Sequence, residues 1–361
     1  MAGSVESRQH FIVCGGAGFI GSHMVDFLLE KYPESTITCI DKLSYASRFS
    51  TQNLKVAKSL RNFNFKQIDL AGFASEVEEA VQWEIHKFEK VTIFNFAAES
   101  SVDRSFLDPL FFTKNNILST QNILEALRHI TEKTPSHGAK FSMVQISTDE
   151  VYGEQDTGEM VCEDAQLDPT TPYAATKAAC DLIIGAYFKT YKLPVTIIRA
   201  NNVYGPRQYP EKLIAVTLDH LRYAKAGSGL GLDKLITIHG SGKHKRSYLH
   251  VKDFVRAVDV VETNTRAQGQ FGETFNIGGN DEWSNVELVE MVCSVYMRMI
   301  HSEDILDFSR FYRNGKDRLY NDSRYSIDTK KILKLGWQPE ISLKTGIAWL
   351  VKEVALQDRH I

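Results

Sequence analysis

Over the first two hundred positions, short apolar runs alternate with stretches in which apolar residues return every three or four. The runs are Phe11–Cys14, Thr36–Ile40, Phe63–Ile68, Val91–Phe96, Phe141–Ile146 and Pro194–Ile198. Runs of this length, closed by Gly, Asp, Asn or Ala-Ala, predict strands. Between them Ile20, Met24, Val25, Phe27 and Leu28 fall on helical spacing. Further helices are predicted over Ser75–Lys87, from Asn115-Asn116 through Ile117, Ile123, Leu124 and Leu127, and from Tyr173 to Tyr191. Strict strand–helix alternation predicts an α/β fold, a Rossmann-type doubly wound parallel sheet with helices on both faces. In such sheets ligands sit outside the carboxyl ends of the strands.

After Pro206 the pattern loosens. A helix is predicted over Glu211–Tyr223 and a strand at Leu235–His239, with further elements at Val251–Val261, Glu273–Ile277, Ser284–Met299 and Ile341–Val354. Thr131–Lys140, Ala224–Lys234 and the basic Gly240–Arg246 read as loops, and Met1–His10 as a frayed tail. The chain therefore divides into a domain over 9–205 and a smaller mixed α/β domain over 206–361. A segment near 246–280 is expected to return to the first.

Composition narrows the function classes. The 361 residues are 43% hydrophobic and 24% charged with a net charge of -3, ordinary for a globular protein. That charge argues against nucleic acid or an anionic membrane as partner. No apolar run reaches the ~18 residues of a membrane span, and the amino terminus lacks a signal-peptide pattern. Cys14, Cys39, Cys162, Cys180 and Cys293 are odd in number and contain no C-x-x-C pair, which suits free thiols and a cytoplasmic location. His239, His244 and His250 share no metal-ligand spacing, so no metal site is expected.

The candidate chemistry falls at strand ends. Gly15-Gly-Ala-Gly18-Phe-Ile-Gly21 follows the first strand and opens the first helix. That context makes the glycines a dinucleotide loop, with the helix N-terminus offering N–H donors to a pyrophosphate. Asp41 closes the second strand twenty residues past Gly21, where a carboxylate accepts from ribose hydroxyls and favours NAD over NADP. Lys42 and Arg48 are nearby cations that would tolerate NADP. Asp69 closes the third strand as an adenine contact or a loop residue. Ala97-Ala98 after the fourth strand leaves room for a cofactor against the backbone. Tyr173 and Lys177, four apart on one helix face, suit a phenol whose pKa an ammonium lowers. Thr148-Asp149-Glu150 ends the fifth strand. Its acids are open to two readings: a polar turn, or an acid–base pair that eliminates water beside a ketone. Arg246 is either a solvated loop cation or a ligand for a phosphate.

These stretches together resemble the extended short-chain dehydrogenase/reductases, and within them the nucleoside-diphosphate-glucose 4,6-dehydratases of the dTDP-glucose type. The likeness runs from about Phe11 to Trp349. It is carried by the Gly loop, Asp41–Tyr45, Ala97–Ser100 with Val102–Ser105, Ser147–Gly153, Pro172–Lys177, Asn202–Pro206, Pro210–Ile214, Arg246–Leu249 and Asn276–Gly279. Thr148-Asp149-Glu150 is its most specific part, because related 4-epimerases lack acid–base residues there.

The resemblance implies a sequence of roles. Tyr173 takes the proton of the sugar C4 hydroxyl as NAD⁺ takes the hydride. Thr148 holds the same oxygen. Glu150 removes the C5 proton, Asp149 protonates the C6 hydroxyl, and the hydride returns to C6. Lys177 completes the catalytic set. Implied NAD contacts are Gly15, Gly18, Phe19, Ile20 and Gly21, then Asp41, Lys42 and Ser44, then Asp69 and Leu70. Ala97, Ala98, Ser100, Asn116, Tyr173, Lys177 and Asn202 complete them. Implied sugar-nucleotide contacts are Ser100, Thr148, Asn202, Glu211, Lys212, Arg246, Asn276 and Arg313.

The chain departs from the family at several places. Cys14 stands for a usual Thr, and its side chain is expected to face the sheet. Lys316 stands for His, and Leu319–Ser323 are extra residues before Arg324-Tyr325. The Ala224–Lys234 loop is also longer than usual. A UDP-glucose 4,6-dehydratase shares the pattern. A UDP-sugar 4-epimerase shares all but the acid pair, and a non-catalytic NAD sensor would need none of Thr148, Tyr173 and Lys177. A homodimer through Asn116–Ile130 and Tyr173–Tyr191 is expected from the family.

Overall fold

The computed structural model describes residues 9–133, 140–155, 158–225, 235–301, 304, 307–308 and 311–357. The expected tail before Gln9, most of the Thr131–Lys140 loop and positions 226–234 of the long Gly-rich loop lie outside these residues.

The strands are β1 (Gln9–Cys14), β2 (Thr36–Asp41), β3 (Phe63–Gln67), β4 (Lys90–Asn95), β5 (Phe141–Thr148), β6 (Val195–Ala200), β7 (Asn202–Tyr204), β8 (Ile236–His239), β9 (Lys245–His250), β10 (Thr274–Ile277), β11 (Glu282–Ser284) and β12 (Tyr312–Gly315). The helices are α1 (Phe19–Lys31), α2 (Ala74–Lys87), α3 (Val102–Leu107), α4 (Pro109–Phe112), α5 (Ser119–Lys133), α6 (Pro172–Tyr191), α7 (Leu213–Lys225), α8 (Val251–Gln268), α9 (Asn285–Tyr296), α10 (Lys330–Leu333) and α11 (Leu343–Gln357). Seven strands form one parallel sheet in the order β3-β2-β1-β4-β5-β6-β10. This is the predicted Rossmann-type sheet, and β10 joins it from the returning segment.

The apolar runs are continuous because the strands are covered on both faces. Along β1, Phe11 and Val13 pack with α1 and α8 on one face. Ile12 and Cys14 pack with α2, α5 and α6 on the other. Cys14 thus faces the sheet's core, fully buried. A third core joins α7, α9 and α11 to β8. It supports two small sheets, β11-β9-β7 and β12-β8.

Four short strands were not expected: β7, β9, β11 and β12. Each carries polar residues and lacks an apolar run. The basic Gly240–Arg246 loop is shorter than predicted, because Lys245 and Arg246 begin β9. The helix expected to open at Asn115-Asn116 instead begins at Pro109, capped by Asp108, and passes through a wide π-type turn at Thr113–Leu118. The two Asn side chains sit inside that turn rather than capping it.

Charge is also buried under the sheet. Arg266 of α8 donates through Nε to Glu262 (2.6 Å), and through Nη2 to the Val91 carbonyl, Thr92 Oγ1 and Ser142 Oγ. Glu262 accepts from Thr92 and Ser142, each at 3.0 Å. Breaking one side of such a buried pair strands the other charge. Arg266→Met is therefore expected to destabilise the fold by about 3 kcal/mol, read by denaturant unfolding. Loss below ~1 kcal/mol would show that Glu262 finds water or protonates without strain.

Candidate active site

A cleft of about 380 Å³ runs along the carboxyl ends of β1, β2, β4, β5 and β6 and is closed from above by β9 and the segment 318–325. Its floor begins at the Gly loop. Gly15 adopts φ +71°, and a Cβ there would stand 2.7 Å from the Ala97 nitrogen. A Cβ at Gly21 would collide with the Gly15 carbonyl. Only glycine lets β1, β4 and α1 approach this closely. The α1 N-terminus has no side-chain cap. Its free N–H groups face the cleft and fit a pyrophosphate.

Asp41 lies at the mouth, accepting from Ala17 N (3.0 Å) and Leu43 N (2.7 Å). Burial raises its pKa against those donors. Asp69 caps Ala71 N at 3.0 Å and also lines the cleft. Phe19, Ile20, Lys42, Ser44, Leu70, Ala97, Ala98, Ser100 and Asn202 line it as well.

Asn116 does not. It is fully buried behind the wall, accepting from Glu99 N (2.7 Å) and donating to Glu99 O (3.1 Å) and Thr176 Oγ1 (2.9 Å). The π-type turn places it there, so it shapes the Ala97–Ser100 strand end without touching the cleft. Lys42 instead reaches Asn115 Oδ1 and lies 3.6 Å from Glu99.

The acid pair sits on a one-turn helix, Asp149–Tyr152, at the end of β5. Gly153 closes it at φ +73°, where a Cβ would strike the Asp168 carbonyl. Tyr152 then turns inward, accepting from Arg199 Nη1 and donating to Asn276 Oδ1, each at 2.8 Å. Asn276 also donates to Val161 O (3.0 Å) and Asp328 O. It is 0% exposed and every side-chain group is occupied. The expectation that Asn276 contacts substrate is therefore corrected: it anchors the turn from behind. Arg313 is also displaced from its expected place. It lies exposed on β12, and the cleft is lined instead by Arg318, five residues on.

Glu211 and Lys212 enter from the loop before α7. Glu211 accepts from Tyr45 OH at 3.0 Å, and Lys212 donates to Ser100 O at 2.8 Å. Arg246 of β9 donates to Asp322 O (2.8 Å) and lies 4.5 Å from the Tyr325 ring centroid. Arg318 donates to Asp103 of α3 at 2.9 Å, tying the upper segment across the cleft. The extra residues thus form part of the roof, with Tyr320 donating to Glu154 and Asp322 accepting from Thr170 (2.7 Å). Asn201, Arg318, Asp322 and Tyr325 were missed. Arg318, Asp322 and Tyr325 carried a signal, since they lie in or beside the departures at Lys316 and Leu319–Ser323.

Burial governs the electrostatics. It pushes Asp149 up to about 7, with the Glu150 charge adding to it, while Asn201, Arg246 and Thr148 pull down. Burial also raises Glu150, opposed by three cations, Lys212, Arg246 and Arg318. Tyr173 is raised by burial and then by Glu150, with the Thr148 hydroxyl opposing. Lys177 is lowered by burial, and its ammonium donates to Ile146 O at 2.6 Å. Burial thus outweighs the lowering of the Tyr173 phenol expected from Lys177. One N–H of the ammonium goes to the β5 backbone. Among the described residues, no group of three His, Cys, Asp or Glu side chains could hold a metal, and no helix is long and apolar enough to cross a membrane.

An acid whose folded pKa is raised contributes most below its unfolded value, and that contribution is lost as pH rises toward the folded value. Asp149→Asn is therefore expected to match the wild type in stability near pH 4 and to exceed it by roughly 2–4 kcal/mol at pH 8. Urea unfolding across that range measures the gap. A gap independent of pH would place Asp149 in water.

Residues 12–350 match the GDP-mannose 4,6 dehydratase family. An uncharacterized protein of Schizosaccharomyces pombe is 47% identical over 96% of this chain and 98% of its own. The dTDP-D-glucose 4,6-dehydratase of Dictyostelium discoideum is 34% identical over 94% of this chain and 80% of its own. The structure of the Streptomyces venezuelae dTDP-glucose 4,6-dehydratase, solved with NAD bound, aligns with a TM-score of 0.80 at 34% identity, covering 97% of this chain and 98% of that one. The chain belongs to the GDP-mannose 4,6 dehydratase family, as an extended short-chain dehydrogenase/reductase of the nucleoside-diphosphate-sugar 4,6-dehydratase kind.

Proposed function

We propose that this protein converts a nucleoside-diphosphate glucose, of the dTDP-glucose type, to its 4-keto-6-deoxy form as an NAD-dependent lyase. One observation carries the reading. Two adjacent carboxyl groups share a buried strand end but lie in different fields. Glu150 faces Lys212, Arg246 and Arg318, and Asp149 is held by Asn201 and Thr148. Paired acids with different neighbours can divide the work of base and acid. A 4-epimerase has no use for such a pair.

The Gly15–Gly21 turn, the uncapped α1 N-terminus and Asp41 fit NAD. When bound, it supplies the uptake and return of one hydride. The remaining steps fall to side chains. Tyr173 accepts the C4 hydroxyl proton, and Thr148 hydrogen-bonds that oxygen as it becomes a ketone. The ketone acidifies C5–H, which Glu150 removes. Asp149 protonates the C6 hydroxyl as its C–O bond breaks, and water departs. Glu150 returns its proton to C5. Arg246, Lys212 and Arg318 suit the diphosphate and its sugar. We assign NAD to a domain over 9–205 with the returning segment, and the sugar nucleotide mainly to 206–361. Five free thiols are consistent with a cytoplasmic setting.

The decisive assay offers dTDP-glucose and UDP-glucose and follows the 4-keto product. Glu150→Gln is expected to reduce bound NAD⁺ partially and to release at least ~100-fold less product. Full turnover by Glu150→Gln would remove that residue from C5, and galactose as the product would favour an epimerase. Leu107, Leu110, Leu118 and Leu182 are exposed on α3–α6 and the turn between them, which supports pairing of two copies there. Light scattering is expected to give a dimer mass at micromolar concentration, and Leu182→Glu a monomer. A wild-type monomer removes this assignment.

A further inference from the structure

We infer that Asn201 is a positioning residue for this reaction, holding the Asp149 carboxyl with a hydrogen bond that strengthens as the carboxyl gives up its proton. The inference rests on the dehydratase reading given above. Asn201 lies between β6 and β7, where its backbone N–H donates to Ile277 O at 3.0 Å. Its side chain is buried, and Nδ2 donates to Asp149 Oδ2 at 2.5 Å. On the other side of the amide stands Gly278, where a Cβ would collide with Asn201 Oδ1. The amide is thus wedged between a glycine and the acid. Thr148 Oγ1 holds the second carboxyl oxygen at 3.2 Å. The Asn201 amide fixes one oxygen of Asp149, and the Thr148 hydroxyl lies beside the other.

The consequence follows from the elimination step. Glu150 takes the C5 proton, and the C5–H electrons form the C5=C6 double bond conjugated to the C4 ketone. The C6–O bond breaks with its pair on oxygen. The Asp149 proton goes to that oxygen, and water leaves. A carboxylate remains at Asp149, buried and beside Glu150. A donor on that carboxylate favours the ionised form more than the neutral one, so it makes Asp149 a better acid. The charged or titratable groups facing Asp149 are Glu150 on its own turn, Tyr173 from α6 and Arg246 from β9. Asn201 is a neutral donor among these neighbours, closer to the carboxyl than Thr148. It aids proton release without adding a charge that would bind a second anion.

Three variants separate this role from packing. Asn201→Ala removes the donor, Asn201→Asp keeps the shape but replaces the donor with a carboxyl, and Asn201→Ser keeps a shorter donor. Two readouts are taken on the full-length protein. The first is the titration of Asp149, by carbon-13 NMR of carboxyl-labelled aspartate assigned with Asp149→Asn. The second is the pH profile of kcat with dTDP-glucose. The Asp149 midpoint is expected to rise by about one unit in Asn201→Ala and further in Asn201→Asp, with Asn201→Ser in between. The alkaline limb of kcat should move up with it, and kcat near neutral pH should fall several-fold. Folded variants, checked by circular dichroism, with an unmoved midpoint and limb would overturn the inference. If the wild type forms no keto product from either sugar nucleotide, the dehydratase reading fails. The titration alone then decides: an unmoved midpoint overturns the coupling and a raised one upholds it.

Discussion

The acid pair depends on an arginine buried behind it. Arg199 of β6 donates to Asp181 of α6 at 2.9 Å, to Tyr152 OH at 2.8 Å and to the Glu163 carbonyl at 3.0 Å. Tyr152 belongs to the turn that carries Asp149 and Glu150, and α6 carries Tyr173 and Lys177. One guanidinium therefore fixes the spacing between the acids and the phenol. A buried charge is tolerable only when its donors are satisfied. The need to satisfy Arg199 is what holds β5, β6 and α6 in register at their carboxyl ends. Asn276 extends the same scaffold to β10, which stiffens the site without entering it.

Desolvation then does the chemical sorting. A buried pocket favours the neutral form of every titratable group, and Asp149, Glu150 and Tyr173 are all raised while Lys177 is lowered. What distinguishes the groups is local charge. Lys212, Arg246 and Arg318 come from the upper elements and gather around Glu150. Arg318 also pairs with Asp103 of α3, so the cation that acts on Glu150 from the roof is itself anchored across the cleft.

The parallel sheet was legible because its strands are buried on both faces and its helices on one. That burial writes long apolar runs such as Phe141–Ile146 and spaced apolar residues such as Met24, Val25 and Leu28. The catalytic strand ends were legible for the same reason: each follows such a run. The short strands of the smaller sheets were not, since β9 reads Lys-Arg-Ser-Tyr-Leu-His and is held by its partners β7 and β11 rather than by its own pattern. Site residues failed where a polar side chain turns to the interior. Asn116 and Asn276 lie close to cleft residues in sequence, yet both spend their amides on backbone groups and buried side chains. Asn201 was passed over for its neighbour Asn202 because residues one apart look alike until the backbone assigns them sides.

Tyr173 shows how far burial reaches. Its phenol is raised by desolvation and by Glu150, with the Thr148 hydroxyl opposing. In the free protein the phenol therefore stays neutral. The same desolvation sharpens every nearby charge, so a cation placed beside the phenol would act on it more strongly there than in water. Suppression of the phenolate and sensitivity to neighbouring charge are two results of one burial.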